Sequence, residues 1–158
     1  NRAVIPDREA KTISHETTFT TNLIDRTVLR AWLLELTEQV TERLRRNQLL
    51  AKTVTLKVRF SNFETISRSK SFGSAVDSTN EIWESAAELL DRCPHRAVRL
   101  IGIGVSNMTR ERTRQMDLFA ETSAKDRKLD SVSDSIRSKF GRDALSRGTA
   151  GFRKRTDQ

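Results

Sequence analysis

The stretch KTVTLKVRF, Lys52 to Phe60, decides the fold. Its polar and apolar side chains alternate strictly, which is typical of a β-strand with one face buried and the other in water. The residues expected to face the core are Val54, Leu56, Val58 and Phe60. Those expected to face outward are Thr53, Thr55, Lys57 and Arg59. The stretch therefore predicts a sheet with one covered and one open face.

Three further strands are predicted on either side of this one. Ser61-Asn62 suits a short turn, and ETISRSKSF (64–72) then forms the return strand of a hairpin. KTISHETTFTTN (11–22) is rich in threonine with Ile and Phe, as strands are. AVRLIGIGVS (97–106) provides the last strand. The sheet should therefore have four strands.

Two helices separate these strands. Residues 27–47, capped by Asp25 or Thr27, carry an apolar stripe at helical spacing. That stripe comprises Val28, Trp32, Leu33, Leu36, Val40 and Leu44. Ser78 and Glu81 have capping-box spacing and open a second helix, which runs to about Asp91 and ends at Cys93-Pro94. Its inward residues are predicted to be Ile82, Ala86, Leu89 and Leu90.

The resulting order is β-α-β-β-α-β, the ferredoxin-like split βαβ arrangement of the α+β class. It predicts a four-stranded antiparallel sheet with both helices on one face, plus a flexible C-terminal extension. The other face of the sheet stays uncovered.

The open face is predicted to be cationic. Thr55, Lys57 and Arg59 would share it with Arg68 and Lys70 of the neighbouring strand, and only Glu64 adds an acidic group, near the hairpin end. An ordinary solvated face is one interpretation. The chain, however, has 29 basic and 21 acidic residues and a net charge of +8, which favours an anionic partner. A register slip of one residue would exchange Arg68 and Lys70 for serines.

Gly102 and Gly104 are predicted to face outward from the last strand. Glycine inside a strand often marks close approach by a ligand or another backbone. Phosphates could then reach bare backbone amides beside the basic face. A bulge or a packing requirement explains the two glycines equally well.

Other chemistry is sparsely represented. No apolar run approaches the ~20 residues of a membrane helix, so no membrane partner is expected. The single cysteine, Cys93, excludes an internal disulfide and suits a reducing cytoplasm. Cys93 and His95 offer two metal ligands where zinc needs three or four, so a buried thiol at a helix end is the preferred interpretation. No catalytic or metal site is predicted.

Four segments carry a resemblance to a known family: KTISHETTF (11–19), RLRRNQLLAKTVTLKVRF (43–60), FETISRSKSF (63–72) and VRLIGIGVSNM (98–108). Together they resemble the little-finger domain of Y-family translesion DNA polymerases, particularly the bacterial DNA polymerase IV type. The resemblance implies a domain that lies across the major groove of the primer–template duplex and grips both backbones without reading sequence. A bacterial cytoplasmic protein at the nucleoid is expected.

The same resemblance implies that the catalytic palm, fingers and thumb precede Asn1. This fragment should then have no catalysis and no cofactor of its own, and Mg²⁺ would belong to the parent polymerase, whose catalytic core is an expected partner. The DNA-binding residues expected on this basis are Lys11, Thr12, Ser14, Thr55, Lys57, Arg59, Arg68, Lys70, Gly102 and Gly104. His15 either reaches a phosphate or is an ordinary exposed histidine.

The domain organisation predicted is a linker from the catalytic core at 1–10 and the little finger at 11–108. A charged linker follows at 109–128, and a C-terminal extension at 129–158. A short helix at 130–140 is expected in that extension, with Leu129, Val132, Ile136 and Phe140 on its apolar side.

The pentapeptide Gln115-Met116-Asp117-Leu118-Phe119 resembles the bacterial sliding-clamp-binding motif, with Met116 where leucine is more usual. An unstructured segment of this kind can insert Leu118 and Phe119 into a preformed apolar pocket, with micromolar affinity. The alternative is a small apolar cluster packed on the domain.

Two other functions stay open on the sequence. One is a standalone nucleic-acid-binding module. The other is a domain of a catalytically inactive polymerase paralogue that docks on partner proteins. A ferredoxin-like regulatory domain that binds a ligand is less compatible with a basic open sheet.

Overall fold

A computed structural model describes residues 12–110 and 120–145, apart from the side chains of 120–124 and 144. The strands are β1 (Thr12–Leu23), β2 (Leu50–Phe60), β3 (Thr65–Val76) and β4 (Val98–Thr109). The helices are α1 (Arg26–Arg46), α2 (Thr79–Asp91) and α3 (Ala120–Phe140), followed by a short 3-10 turn at Arg142–Ala144. The predicted β-α-β-β-α-β order and the α+β class are confirmed for residues 12–109.

The four strands form one antiparallel sheet in the order β1-β4-β2-β3. The last strand is therefore inserted between β1 and β2, the two strands that α1 connects. Strand β2, whose alternating pattern is clearest, lies in the interior of the sheet between β4 and β3. Because β1 and β3 are the edge strands, each leaves one row of backbone groups without a partner strand.

The covered face of the sheet packs on α1 and α2. Val54, Leu56, Val58 and Phe60 are buried there, as predicted. On α1 the buried stripe begins at Leu29, with Val28 only half-buried, so the predicted stripe was displaced by one residue at its first turn. Trp32 is half-buried against this core, and its ring meets Phe19 edge-on at 5.3 Å between centroids.

Side-chain hydrogen bonds cap the start of both α1 and α2. The Asp25 side chain accepts a hydrogen bond from the Thr27 amide at the start of α1, and Ser78 does the same for Glu81 at the start of α2. At the other end of α2, the Arg26 guanidinium donates to the carbonyl oxygens of Leu90, Cys93 and Pro94 at 2.6–2.9 Å. Arg26 thereby joins the start of α1 to the end of α2.

Helix α3 differs from the prediction. It begins at Ala120, ten residues earlier than expected, so part of the predicted linker at 109–128 is helical. The expected apolar stripe is mostly in water, with Leu129 50%, Val132 48% and Phe140 74% exposed. The buried side is polar instead and comprises Asp130, Ser133 and Arg137. The apolar period suggested the wrong side because this helix docks through charges rather than through a core.

Arg45 of α1 is the main anchor for α3. Its guanidinium donates to both carboxylate oxygens of Asp134 at 2.7 and 3.0 Å and lies 3.5 Å from Asp130. Burial opposes the charge of Arg45, but the Asp134 hydrogen bonds and the nearby carboxylates outweigh it and raise the pKa of Arg45. A second buried pair joins Arg137 to Glu38 at 2.9 Å. Helix α3 is thus held on the helical side of the domain by ion pairs.

Candidate nucleic-acid interface

The open face of the sheet is an ordered array of small polar side chains. Antiparallel partners place equivalent positions of all four strands side by side, and three such rows cross the sheet. The first row is Thr12, Ser106, Thr53 and Ser71. The second is Ser14, Gly104, Thr55 and Ser69, and the third is Glu16, Gly102, Lys57 and Ser67. We call these three rows the hydroxyl face, because serine and threonine dominate them.

Strand β3 presents its serines to this face, not its cations. Arg68 is opposite Leu56 and Lys70 is opposite Val54, and both of those partners face the helices. The predicted facing of Arg68 and Lys70 is therefore wrong. The reason is the turn at Ser61–Glu64, which fixes the register that the sequence left undetermined. Lys70 instead forms an ion pair with Glu88 of α2 and lowers the pKa of that carboxyl group.

Neighbouring hydroxyl groups bond to each other across the strands. The Thr55 and Ser69 hydroxyl oxygens are 2.8 Å apart, and those of Thr53 and Ser71 are 3.2 Å apart. Asn107 adds a donor to the Thr53 hydroxyl at 2.9 Å. Each hydroxyl group is both donor and acceptor and rotates freely, so the same groups can turn to donate to an incoming anion.

The charge of the face is more balanced than predicted. Lys57 pairs with Glu16 of β1 at 3.1 Å, so the expectation that the open face has no acidic group except Glu64 is wrong. Arg59 lies one row beyond Lys57, opposite Thr65 of β3, and donates through Nε to the Thr65 hydroxyl at 2.9 Å. Both Lys57 and Arg59 do project from the open face, as predicted.

Sequence reasoning missed a group of arginines and phenylalanines beside the hairpin turn. The Arg99 guanidinium lies 4.7 Å from the centroid of the Phe63 ring, which is 63% exposed. The Arg96 guanidinium lies 4.5 Å from that of Phe60 and also pairs with Glu64 at 3.0 Å, which lowers the pKa of Glu64. Phe63 has a positive φ of 68°, which is uncommon for a residue other than glycine. No sequence pattern signals this group, because it joins a turn to a distant strand.

The two glycines of β4 lie beneath side chains of β1. A Cβ atom at Gly102 would be 2.9 Å from Cβ of Glu16, and one at Gly104 would be 3.3 Å from Cβ of Ser14. The packing alternative therefore accounts for both glycines without any ligand. They let β1 lie close to β4 and let Glu16 reach Lys57.

We expect Gly102→Ala to lower the free energy of unfolding by about 1–3 kcal/mol, because the added methyl group overlaps with Glu16. The matched control is Gly73→Ala in β3, where nothing lies within 4 Å of the added atom. Urea unfolding should show that control unchanged or slightly stabilised. Equal effects of the two substitutions would contradict the packing explanation.

The remaining predicted residues are distributed as follows. Thr12 and Ser14 lie on the hydroxyl face, whereas His15 is opposite Ile103 and so points to the helical side of the edge strand. Lys11 and the pentapeptide at 115–119 lie outside the described residues. Cys93 is buried, and its thiol contacts the Leu89 carbonyl oxygen, as expected of a thiol at a helix end.

No group of three or more His, Cys, Asp or Glu side chains within 12–110 and 120–145 could hold a metal ion. In the same part of the chain, no helix is long and apolar enough to cross a membrane.

Comparison with known proteins gives a consistent result. Residues 10–118 match the model of the impB/mucB/samB family C-terminal domain. The chain is 36% identical over 152 residues to DNA polymerase IV of Dehalococcoides mccartyi, which covers 94% of the chain but 38% of that protein. It is 33% identical over 149 residues to DNA polymerase IV 1 of Mesorhizobium japonicum. That match covers 93% of this chain and 34% of that protein. The chain therefore spans little more than a third of these relatives.

Solved structures support the fold. A complex described as that of the beta-clamp processivity factor and the little finger domain of PolIV matches with a TM-score of 0.53, at 21% identity, over 68% of this chain and 97% of that chain. An insertion ternary complex of Dbh DNA polymerase matches with a TM-score of 0.54, at 20% identity, over 63% of this chain and 29% of that chain. The predicted resemblance is confirmed: the chain belongs to the impB/mucB/samB family and carries its C-terminal, little-finger domain.

Proposed function

We propose that the hydroxyl face, with Lys57 and Arg59, binds the sugar–phosphate backbone of primer–template duplex DNA independently of sequence. The observation that carries the proposal is the array itself, three rows across four strands on the uncovered side of the sheet, in which eight of the twelve positions are serine or threonine. Hydroxyl groups and backbone amides are typical phosphate contacts, which position a protein on DNA without reading bases. The DNA polymerase IV relatives support DNA as the ligand.

The geometry suits a surface that must move along its ligand. Short side chains let phosphates approach the sheet closely, and the hydroxyl pairs can change partners without leaving a buried polar group unsatisfied. Lys57 and Arg59 add charge, but the Glu16–Lys57 pair moderates it. A face with few strong fixed charges grips every register of the duplex similarly, as translocation over any sequence requires.

The parent protein, on this proposal, is a template-directed translesion DNA polymerase. Its catalytic core and Mg²⁺ would lie in the part of the relatives that this chain does not span. The domain would then contribute grip on the product duplex rather than chemistry.

The proposal is tested by titrating fluorescent duplexes of unrelated sequence with this chain and with Lys57→Gln/Arg59→Gln. Every duplex should bind with similar affinity. The slope of log K against log salt should be smaller by about 2 in the variant, at ~0.9 per lost phosphate contact. A strong preference for one sequence, or an unchanged slope, would contradict the proposal.

We also propose that Gln115-Met116-Asp117-Leu118-Phe119 binds a bacterial sliding clamp. Five residues separate the end of β4 from the start of the segment, and the solved little finger of PolIV that shares this fold is described in complex with the beta clamp. A polymerase bound at once to the duplex and to a ring around it would gain affinity through effective concentration.

A further inference from the structure

Helix α3 has acidic and basic residues on different sides. Within residues 125–140 the acidic residues are Asp126, Asp130 and Asp134. All of them contact the body of the domain: Asp126 accepts from Asn80, Asp130 accepts from the Thr79 amide, and Asp134 accepts from Arg45. No carboxylate in this stretch is thus left on the side that faces away from the domain.

The outward side is basic. Lys128, Ser135 and Lys139 each come two residues after a docked position, Asp126, Ser133 and Arg137 respectively. Two residues correspond to about 200° around an α-helix, so these side chains lie nearly opposite the docked side. Lys125 extends the same side, and all four are exposed. Ser131 instead lines a pocket between α3 and the body of the domain, together with Arg45 and Asp77. We call Lys125, Lys128, Ser135 and Lys139 the outer face of α3.

The outer face is carried by a helix that docks on the helical side of the domain. Helix α3 docks on α1 and α2 through Arg45, Glu38 and Thr79. Those two helices cover the side of the sheet opposite the hydroxyl face. The outer face therefore belongs to the helical side of the domain and is a surface separate from the hydroxyl face.

We propose that the outer face of α3 is a second contact surface for a duplex DNA backbone, so that one domain bridges two duplex segments. Three lysines supply point charges and Ser135 supplies a hydroxyl donor, the groups that bind phosphate without reading sequence. The surface goes beyond the proposed function of the sheet. Helix α3 begins at Ala120, beyond the residues that match the family model.

The position of the apolar side chains favours DNA over an anionic membrane. A helix that lies on a membrane turns its apolar side outward from its own domain. Here Leu129, Ile136 and Phe140 lie between the docked side and the outer face, and Ile136 is half-buried. Val132 is the one apolar residue of this stretch that lies among the lysines, four residues after Lys128. The positions directly opposite the docked side are Lys128, Ser135 and Lys139, which suit a phosphate backbone better than acyl chains.

The test uses the full chain and two short duplexes, one with a donor and one with an acceptor fluorophore, in excess at low salt. The key variant is Lys125→Gln/Lys128→Gln/Lys139→Gln, whose substitutions are exposed and preserve helix propensity. A control variant removes the same charge from exposed positions elsewhere, namely Arg43→Gln/Lys52→Gln/Arg92→Gln. Analytical ultracentrifugation counts duplexes per chain, and circular dichroism checks that each variant is folded.

We expect the unaltered chain and the control to give energy transfer and a complex of one chain with two duplexes. The α3 variant should bind one duplex and lose the energy transfer. Loss of transfer in both variants would indicate a dependence on net charge alone and would overturn the proposal, as would transfer that persists in the α3 variant. So would an α3 variant that bridges normally but no longer binds phosphatidylserine vesicles.

Discussion

Thr55→Glu should weaken binding of duplex DNA by about a hundredfold. Thr55 lies in the middle of the hydroxyl face, between Gly104 and Ser69, and bonds to the Ser69 hydroxyl. A carboxylate there would meet the phosphate backbone directly, and like charges placed opposite each other cost several kcal/mol at an interface. Fluorescence anisotropy at fixed ionic strength measures the loss.

Two matched variants locate the effect. Thr27→Glu adds the same charge at an exposed position on α1, on the other side of the sheet, and should change the affinity less than about threefold by screened repulsion alone. Arg68→Gln removes a cation that faces the helical side and should also bind almost normally. If Thr27→Glu weakened binding as much as Thr55→Glu, the site would not be the hydroxyl face.

Gln115→Ala/Leu118→Ala/Phe119→Ala should abolish measurable binding to a bacterial sliding clamp. Short linear motifs concentrate their binding energy in a few anchors, and loss of such an anchor costs at least about 2 kcal/mol. Loss of two apolar anchors and the glutamine amide should therefore reduce a micromolar affinity at least a hundredfold. Isothermal titration of the purified clamp with each chain measures the difference.

Glu111→Ala/Thr113→Ala/Thr122→Ala is the control for that experiment, because it alters residues on both sides of the pentapeptide and leaves the motif intact. It should bind the clamp like the unaltered chain. Equal binding by all three proteins would show that the pentapeptide is not the clamp contact. Duplex binding should be the same in all three, which separates this proposal from that of the hydroxyl face.

Strict alternation of polar and apolar residues correctly predicted which side of the sheet each residue of β2 faces. In β2 every residue from Val54 to Phe60 faces the predicted side, because an interior strand with one buried face tolerates no slip. Strand β3 is at an edge and alternates serine with cations, so either side can tolerate either set. Its register comes from the turn at Ser61–Glu64 and from ion pairing of Lys70 with Glu88, and neither is evident from a linear pattern.

Helix α3 shows a different limit of sequence reasoning. Its most regular feature is the series Leu129, Val132, Ile136 and Phe140, which normally marks the buried side of a helix. The docked side is set instead by Asp130, Asp134 and Arg137, each of which depends on a partner on α1 or α2 distant in sequence. The outer face of α3 becomes visible only once these partners are known.

The same holds for much of the candidate site. Thr55, Lys57 and Arg59 were predicted to lie on the open face from strand period alone, and they do. Thr12 and Ser14 were expected at the DNA contact from the family resemblance, and they lie on the same face. The Glu16–Lys57 pair depends on which strand lies beside which, since β4 brings β1 toward β2 across two glycines. Strand order is a tertiary property, and so the charge balance of the face could not be derived from the sequence.

The most direct test of the central claim is a map of the duplex contact on the domain by NMR. The Lys125→Gln/Lys128→Gln/Lys139→Gln variant, labelled with ¹⁵N, would be titrated with an unlabelled primer–template duplex. Because this variant lacks the proposed second contact on α3, the shifts report the contact on the sheet. We predict that the amide signals of the hydroxyl face shift first, led by Ser14, Thr55 and Gly104. Shifts confined to α1 and α2, with the hydroxyl face unchanged, would contradict the account.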